Sequence, residues 1–150
     1  MVIAVLLLGV GNTYSATFED GIAASDRGDY AIAQKIYRSL ASQGDARAQS
    51  ELGYMYAKGQ GVLQDYAVAL KWYRLAATQG APAAQFILGT GYHEGKGVAK
   101  DYSEAIKWYR MAAAQGYPSA QFNLGSMYHK GEGVTQNYSE AVKWFRLAAG

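Results

Sequence analysis

No cysteine occurs among the 150 residues, which excludes disulfides, thiolate nucleophiles and zinc sites of the thiolate type. Stability must come from packing, and 50% hydrophobic content suffices to bury a core. Charge of one sign is also lacking. The 14 Lys and Arg against 12 Asp and Glu leave +2 and form no runs, too little to argue for a nucleic-acid partner. The sequence carries no GxxxxGK[ST], HExxH, GxSxG or SxxK pattern, so no catalytic residue, cofactor or metal is expected.

Long apolar runs are absent apart from Val2 to Val10. Nine residues cannot span a bilayer, which takes ~20, so no membrane span is expected in the mature chain. Small and polar residues follow from Gly11 to Thr17, a pattern similar to a secretory signal cleaved after Ala16. No Lys or Arg precedes the run and Tyr14 is bulky for its place near the cut, so a buried strand or short core helix is the alternative. Residues 1–16 are expected to be an export segment, leaving a periplasmic or secreted chain.

What is plentiful is glycine, 18 residues, and tyrosine, 13, beside only 2 prolines. A period of 36 residues explains both. Gln49, Gln85 and Gln121 recur at that step, as do Leu52, Leu88 and Leu124, and Gly53, Gly89 and Gly125. Tyr56, Tyr92 and Tyr128 keep the register, as do the loop glycines Gly59, Gly95 and Gly131, and Trp72, Trp108 and Trp144 close it. A fixed period of this length marks stacked supersecondary units. The units fall at 46–80, 81–116 and 117–150, after a degenerate capping unit at 17–45.

Each unit reads as two helices. Ala48, Leu52, Met55 and Tyr56 lie at spacings of three and four, on one face of a first helix that Gly59 ends by taking the left-handed conformation. Asp65, Asp101 and Asn137 are N-caps of the second helices, and Glu104 and Glu140 stand three residues further on, where a capping box would place them. Gly80 and Gly116 end these helices, and Pro82 and Pro118 suit the first turn of the next. Tyr66, Ala69, Leu70, Tyr73, Ala76 and Ala77 form one stripe of the second helix, with Trp72 and Leu75 on another. Two stripes imply two packing partners, in the same unit and in the next.

The pattern A-x-A-Q-x-x-L-G-x-x-Y-x-x-G-x-G-V followed by D-Y-x-x-A-x-K-W-Y-R-x-A-A-x-Q-G resembles the Sel-one-like repeat family, a relative of the tetratricopeptide repeat. It covers 46–150 closely and 18–45 loosely. Thr90 and Gly91 depart from it, where the other units have Tyr54 and Met55 or Ser126 and Met127. The resemblance implies an all-α, right-handed α-solenoid (an α/α superhelix) whose first helices line a concave surface, and an adaptor role in bacterial signalling or envelope complexes. Cysteine-rich relatives have been linked to β-lactam binding, which makes a cell-wall ligand-binding or hydrolase role the alternative; the absence of Cys and SxxK counts against it.

Residues repeated in every unit are explained by packing, so binding is sought where the units differ. Ser50 and Tyr54, then Phe86, Thr90 and His93, then Phe122, Ser126 and His129 occupy varied positions on the first helices. They are the candidate surface for a protein or peptide partner, aromatic anchors supplying most of such affinity. Packing of Phe86 and Phe122 between units is the competing explanation. His93 and His129, about one helix spacing apart, are expected to be exposed groove residues and not metal ligands. Lys71, Arg74 and their copies form an exposed basic row, expected to be solvated. Trp144 and Leu147, left without a following helix, are candidates for self-association.

Overall fold

A computed structural model describes residues 15–150. The expected export segment lies outside the described residues except for Ser15 and Ala16. Eight helices follow: α1 (Phe18–Asp26), α2 (Tyr30–Ser42), α3 (Ala46–Lys58), α4 (Tyr66–Thr78), α5 (Pro82–Glu94), α6 (Tyr102–Ala114), α7 (Pro118–Lys130) and α8 (Tyr138–Ala148). No strand occurs among the described residues, and the principal contacts join consecutive helices. This is an all-α solenoid of helix pairs.

Helix limits follow from the repeated punctuation. Gly59, Gly95 and Gly131 cap α3, α5 and α7 with φ of 70°, 71° and 74°. Asp65, Asp101 and Asn137 accept from the third backbone amide of α4, α6 and α8, each such cap contributing ~1 kcal/mol. The reciprocal half of a capping box forms only at α1, between Thr17 and Asp20. At α6 the Glu104 carboxylate instead accepts from the Trp108 indole at 3.2 Å and pairs with Lys107, and at α8 Glu140 pairs with Lys143. The box does not close because the cap amides of Asp101 and Asn137 already donate to the Tyr92 and Tyr128 carbonyls, both at 2.9 Å, which leaves Glu104 to accept from an indole N–H that would otherwise be unbonded in a buried ring.

The core runs continuously through the stack. Each cluster combines the second helix of one unit, the first helix of the next and that unit's tryptophan: Ala69, Leu70, Tyr73, Ala76 and Ala77 meet Ala84 and Leu88 under Trp108. The same arrangement places Trp72 on the preceding cluster and Trp144 on the following one. Within a unit the helices approach most closely at glycine. A Cβ added at Gly89 would lie 2.7 Å from the Tyr109 ring, and one at Gly53 2.9 Å from Tyr73.

Polar cross-links repeat in the same register. Gln85 is buried and donates to the Ala77 carbonyl at 3.1 Å while accepting from Gln115 at 2.9 Å. Gln49 and Gln121 do the same to Ala41 and Ala113, so each glutamine adds a second bond to a carbonyl at the end of a second helix that already accepts the amide of Gly44, Gly80 or Gly116. The basic row is not merely solvated. Arg38, Arg74 and Arg110 donate to the hydroxyls of Tyr56, Tyr92 and Tyr128 in the next unit, whereas Lys71, Lys107 and Lys143 are exposed.

Candidate functional site

Stacking places one pocket at each junction between units, on the side of the first helices, and the three are related by the same 36-residue step. The first, about 410 Å³, is lined by Ser25, Asp26, Tyr37, Glu51 and Tyr54. The second, about 290 Å³, is lined by Ala57, Leu70, Tyr73, Phe86, Ile87 and Gly91, with Lys58, Glu94 and Lys96 at its mouth. The third, about 220 Å³, is lined by His93, Glu94, Tyr109, Asn123, Ser126 and Lys130. A buried tyrosine of the second helix contributes to each: Tyr37, Tyr73 and Tyr109.

The backbone is common to the three, so their chemistry differs through side chains alone. Tyr109 accepts from Asn123 and donates to Thr90, both at 3.1 Å. Its hydroxyl titrates above the ordinary 10.0 because it is buried, an effect that these two bonds oppose. Tyr37 has the Ser25 side chain as its hydrogen-bonding neighbour. In the middle pocket the equivalents of Thr90 and Asn123 are Tyr54 and Ile87, and the Tyr73 hydroxyl has no hydrogen-bond partner among the described residues. Every fully enclosed side-chain nitrogen and oxygen among those residues is bonded. The Tyr73 oxygen is therefore not fully enclosed, although the residue is only 5% exposed, and the residue lines the pocket. Burial, then the charge of Glu51, raises its pKa well above the usual phenol range, which keeps it a neutral donor.

Two further departures shape the middle pocket. Gly91 stands where Met55 and Met127 fill the adjoining junctions, and Leu70 closes against it, 2.7 Å from where a Cβ would be. Ala57 stands where the next junction has His93. Burial also pushes the Glu51 carboxyl in the first pocket above its ordinary 4.5.

Of the expected surface residues, Tyr54, Phe86 and Thr90 line the middle pocket, and His93 and Ser126 line the third. Phe86 also packs between units, its ring 5.3 Å from Tyr117 and 5.8 Å from Tyr109. His93 is half-buried, bonded to Glu132 of the next unit's loop at 3.0 Å and packed on Tyr102. Ser50 turns to the Ala46 carbonyl of its own helix, and His129 is exposed beside Tyr138. Phe122 is 57% exposed near Phe145, in a separate open depression of about 660 Å³ at the end of α8. Tyr73, Ile87 and Gly91 were not among the expected residues. Their signal was present, since Ile87 and Gly91 break the repeat, but the hydroxyl they leave open belongs to a residue that looks like ordinary core. Among the described residues no three His, Cys, Asp or Glu gather as metal ligands, and no helix is long and apolar enough to cross a membrane.

The Sel1 repeat model matches residues 7–45, 46–80, 82–117 and 118–149. Among solved structures, a Sel1 repeat protein from Oxalobacter formigenes is 38% identical with a TM-score of 0.84, the match covering 89% of this chain and 55% of that one. A protective antigen present in uropathogenic Escherichia coli strains, displaying an SLR fold, is 38% identical with a TM-score of 0.75, over 89% of this chain and 33% of that one. Helicobacter pylori cysteine rich protein B shares the fold at 23% identity and a TM-score of 0.57, over 89% and 90%. This chain thus spans about half and a third of the first two. No curated protein matches it. With one helix pair repeated through the whole described stack and the family model matched four times over 7–149, the chain belongs to the Sel1 repeat family.

Proposed function

We propose that the protein is a non-catalytic scaffold that holds an extended segment of a partner protein along the row of junction pockets, on the concave side of an exported solenoid. The observation that carries this reading is the row itself: three equivalent pockets on one face, built on one backbone and lined by different side chains. Such a row reads successive side chains of a chain laid across it, as other helical repeats with extended binding faces can. The polar groups in the third pocket support a binding role over chemistry. Asn123 holds Tyr109 there and His93 holds Glu132, so both are committed to structural partners, as is Thr90 of the middle pocket, which also holds Tyr109.

A photoreactive residue at Phe86 tests this, with Lys71 on the exposed row as the control position. Crosslinking of one protein in envelope extract from the Phe86 position, lost in a folded Tyr54→Ala variant and absent from Lys71, is the expected result. Equal crosslinking from both positions would sink the assignment of the surface. A second reading, self-association through the end of α8, is favoured by the open depression that Phe122, Phe145, Ala148 and Ala149 line and by the 57% exposure of both Phe122 and Leu147. Sedimentation across a concentration series separates the two, since only self-association makes size depend on concentration.

A further inference from the structure

The middle pocket is the one junction whose hydroxyl is left without a partner. Its walls are apolar, from Ala57, Ala69, Leu70, Phe86 and Ile87. At about 290 Å³ it lies at the small end of binding cavities, room for one large side chain and not for a folded element. Covering the Tyr73 hydroxyl with a purely apolar group would strip it of water and return no bond, a cost in the range of a buried unsatisfied donor. The group that fits has an apolar ring and a polar tip.

The neighbouring junction adds charge. Asp26 and Glu51 line it, and neither forms an ion pair among the described residues. Adjacent junctions are about one helix spacing apart, ~8–10 Å. Residues two apart in an extended strand are separated by ~7 Å, and the reach of an arginine side chain makes up the difference.

We infer that the middle pocket takes a tyrosine side chain of an extended partner segment, its hydroxyl bonded to Tyr73, with an arginine or lysine two residues away set against Asp26 and Glu51. This rests on the scaffold reading and adds the identity of the residues it holds.

The test is a methyl NMR titration of the full chain with the peptide Ac-Arg-Ala-Tyr-Ala-Arg-NH2, whose symmetry makes binding direction immaterial. Expected are saturable shifts at the methyl groups of Ala57, Ala69, Leu70 and Ile87, and a binding constant about three- to ten-fold tighter than for the same peptide with Phe, the effect of one hydrogen bond. In Tyr73→Phe the preference for Tyr over Phe disappears. That variant is expected to fold, because Phe145 occupies the same repeat position. The Glu-flanked peptide Ac-Glu-Ala-Tyr-Ala-Glu-NH2 binds more weakly than the Arg-flanked one.

Equal binding of the Tyr and Phe peptides to the parent would overturn the inference, as would a Tyr preference that survives Tyr73→Phe. Binding of 4-methylphenol as tight as that of the peptide would overturn the peptide assignment in favour of a small phenol. Shifts confined to the Met127 methyl group at the third junction would overturn it too, while leaving the scaffold reading intact. That reading fails on its own terms in the crosslinking comparison.

Discussion

Gly89→Ala separates packing from helix propensity within one molecule. In an open helix the change would stabilise by ~1 kcal/mol, because glycine is the poorer helix former. Here the new Cβ would stand 2.7 and 2.9 Å from two ring atoms of Tyr109, which real Cβ contacts do not sustain. The ring cannot easily yield: it is 1% exposed, and its hydroxyl is tied to Thr90 and Asn123. Overpacking costs about 1–3 kcal/mol, and straining two hydrogen bonds of ~1 kcal/mol each adds to it. Subtracting the propensity gain leaves a net destabilisation of about 2 kcal/mol. Gly53→Ala is the internal control. Its Cβ would meet Tyr73 at 2.9 Å, but the Tyr73 hydroxyl is unbonded and the residue lines a pocket into which the ring can slide, so the net loss is expected to stay under about 1 kcal/mol. Urea unfolding followed by circular dichroism at unchanged m-value checks both, the Gly89 variant shifting its midpoint by ~1 M. Equal losses, or a larger loss at Gly53, would refute the argument that the hydroxyl bonds pin the ring.

Three other outcomes follow from single features of the stack. Gln85→Ala removes one of two donors to the Ala77 carbonyl, which keeps the Gly80 amide, and one of two acceptors of the Gln115 amide, which keeps the Gly80 carbonyl, and is expected to cost about 1–2 kcal/mol in the same assay, the scale of two lost hydrogen bonds with no group stranded. Asp101→Ala takes the cap from the Glu104 amide and is expected to cost ~1 kcal/mol, with faster hydrogen exchange confined to the first turn of α6. Glu51 has a raised pKa in the fold from burial, so its contribution is full below its unfolded value and is lost as pH rises through its folded one. Glu51→Gln should therefore match the parent in stability below pH 4.5, the ordinary value for the group, and exceed it increasingly as the pH rises, then level off; a gap that opens on acidification instead would refute the assignment.

Much of the fold was legible because the repeat states each structural signal several times. The glycine after each first helix, the acidic or amide cap before each second helix and the tryptophan at each junction all lie where the 36-residue register puts them. What was not legible depends on which side chains meet across helices. The partners of Tyr109 lie 19 residues before it and 14 after it, on two different helices, a relation that no single-helix periodicity displays. The same holds for Arg74 and Tyr92, 18 residues apart in adjacent units, which turned an apparently solvated row into junction cross-links. Glu104 was read as a capping residue because spacing along the chain suits both the cap and the indole of Trp108. What decides between them is the Tyr92 carbonyl of the preceding helix, which takes the Asp101 amide. The varied first-helix positions did lead to the pockets, yet they pointed to the walls and missed the hydroxyl beneath.

That hydroxyl bears on why the middle junction differs. One unit further on, the Tyr109 hydroxyl donates to Thr90 and accepts from Asn123, positions that at the middle junction are held by Tyr54 and Ile87. Nothing in the shared backbone prevents asparagine there, since the same first-helix site carries it in α7. A methionine at 91 would likewise restore the filling side chain of the other junctions once Leu70 moved aside. The middle junction thus departs from the repeat at Ile87 and Gly91, and both line one cavity. An apolar wall at Ile87 beside a Tyr73 hydroxyl with no partner among the described residues is the arrangement that the proposed pocket for a polar-tipped ring requires.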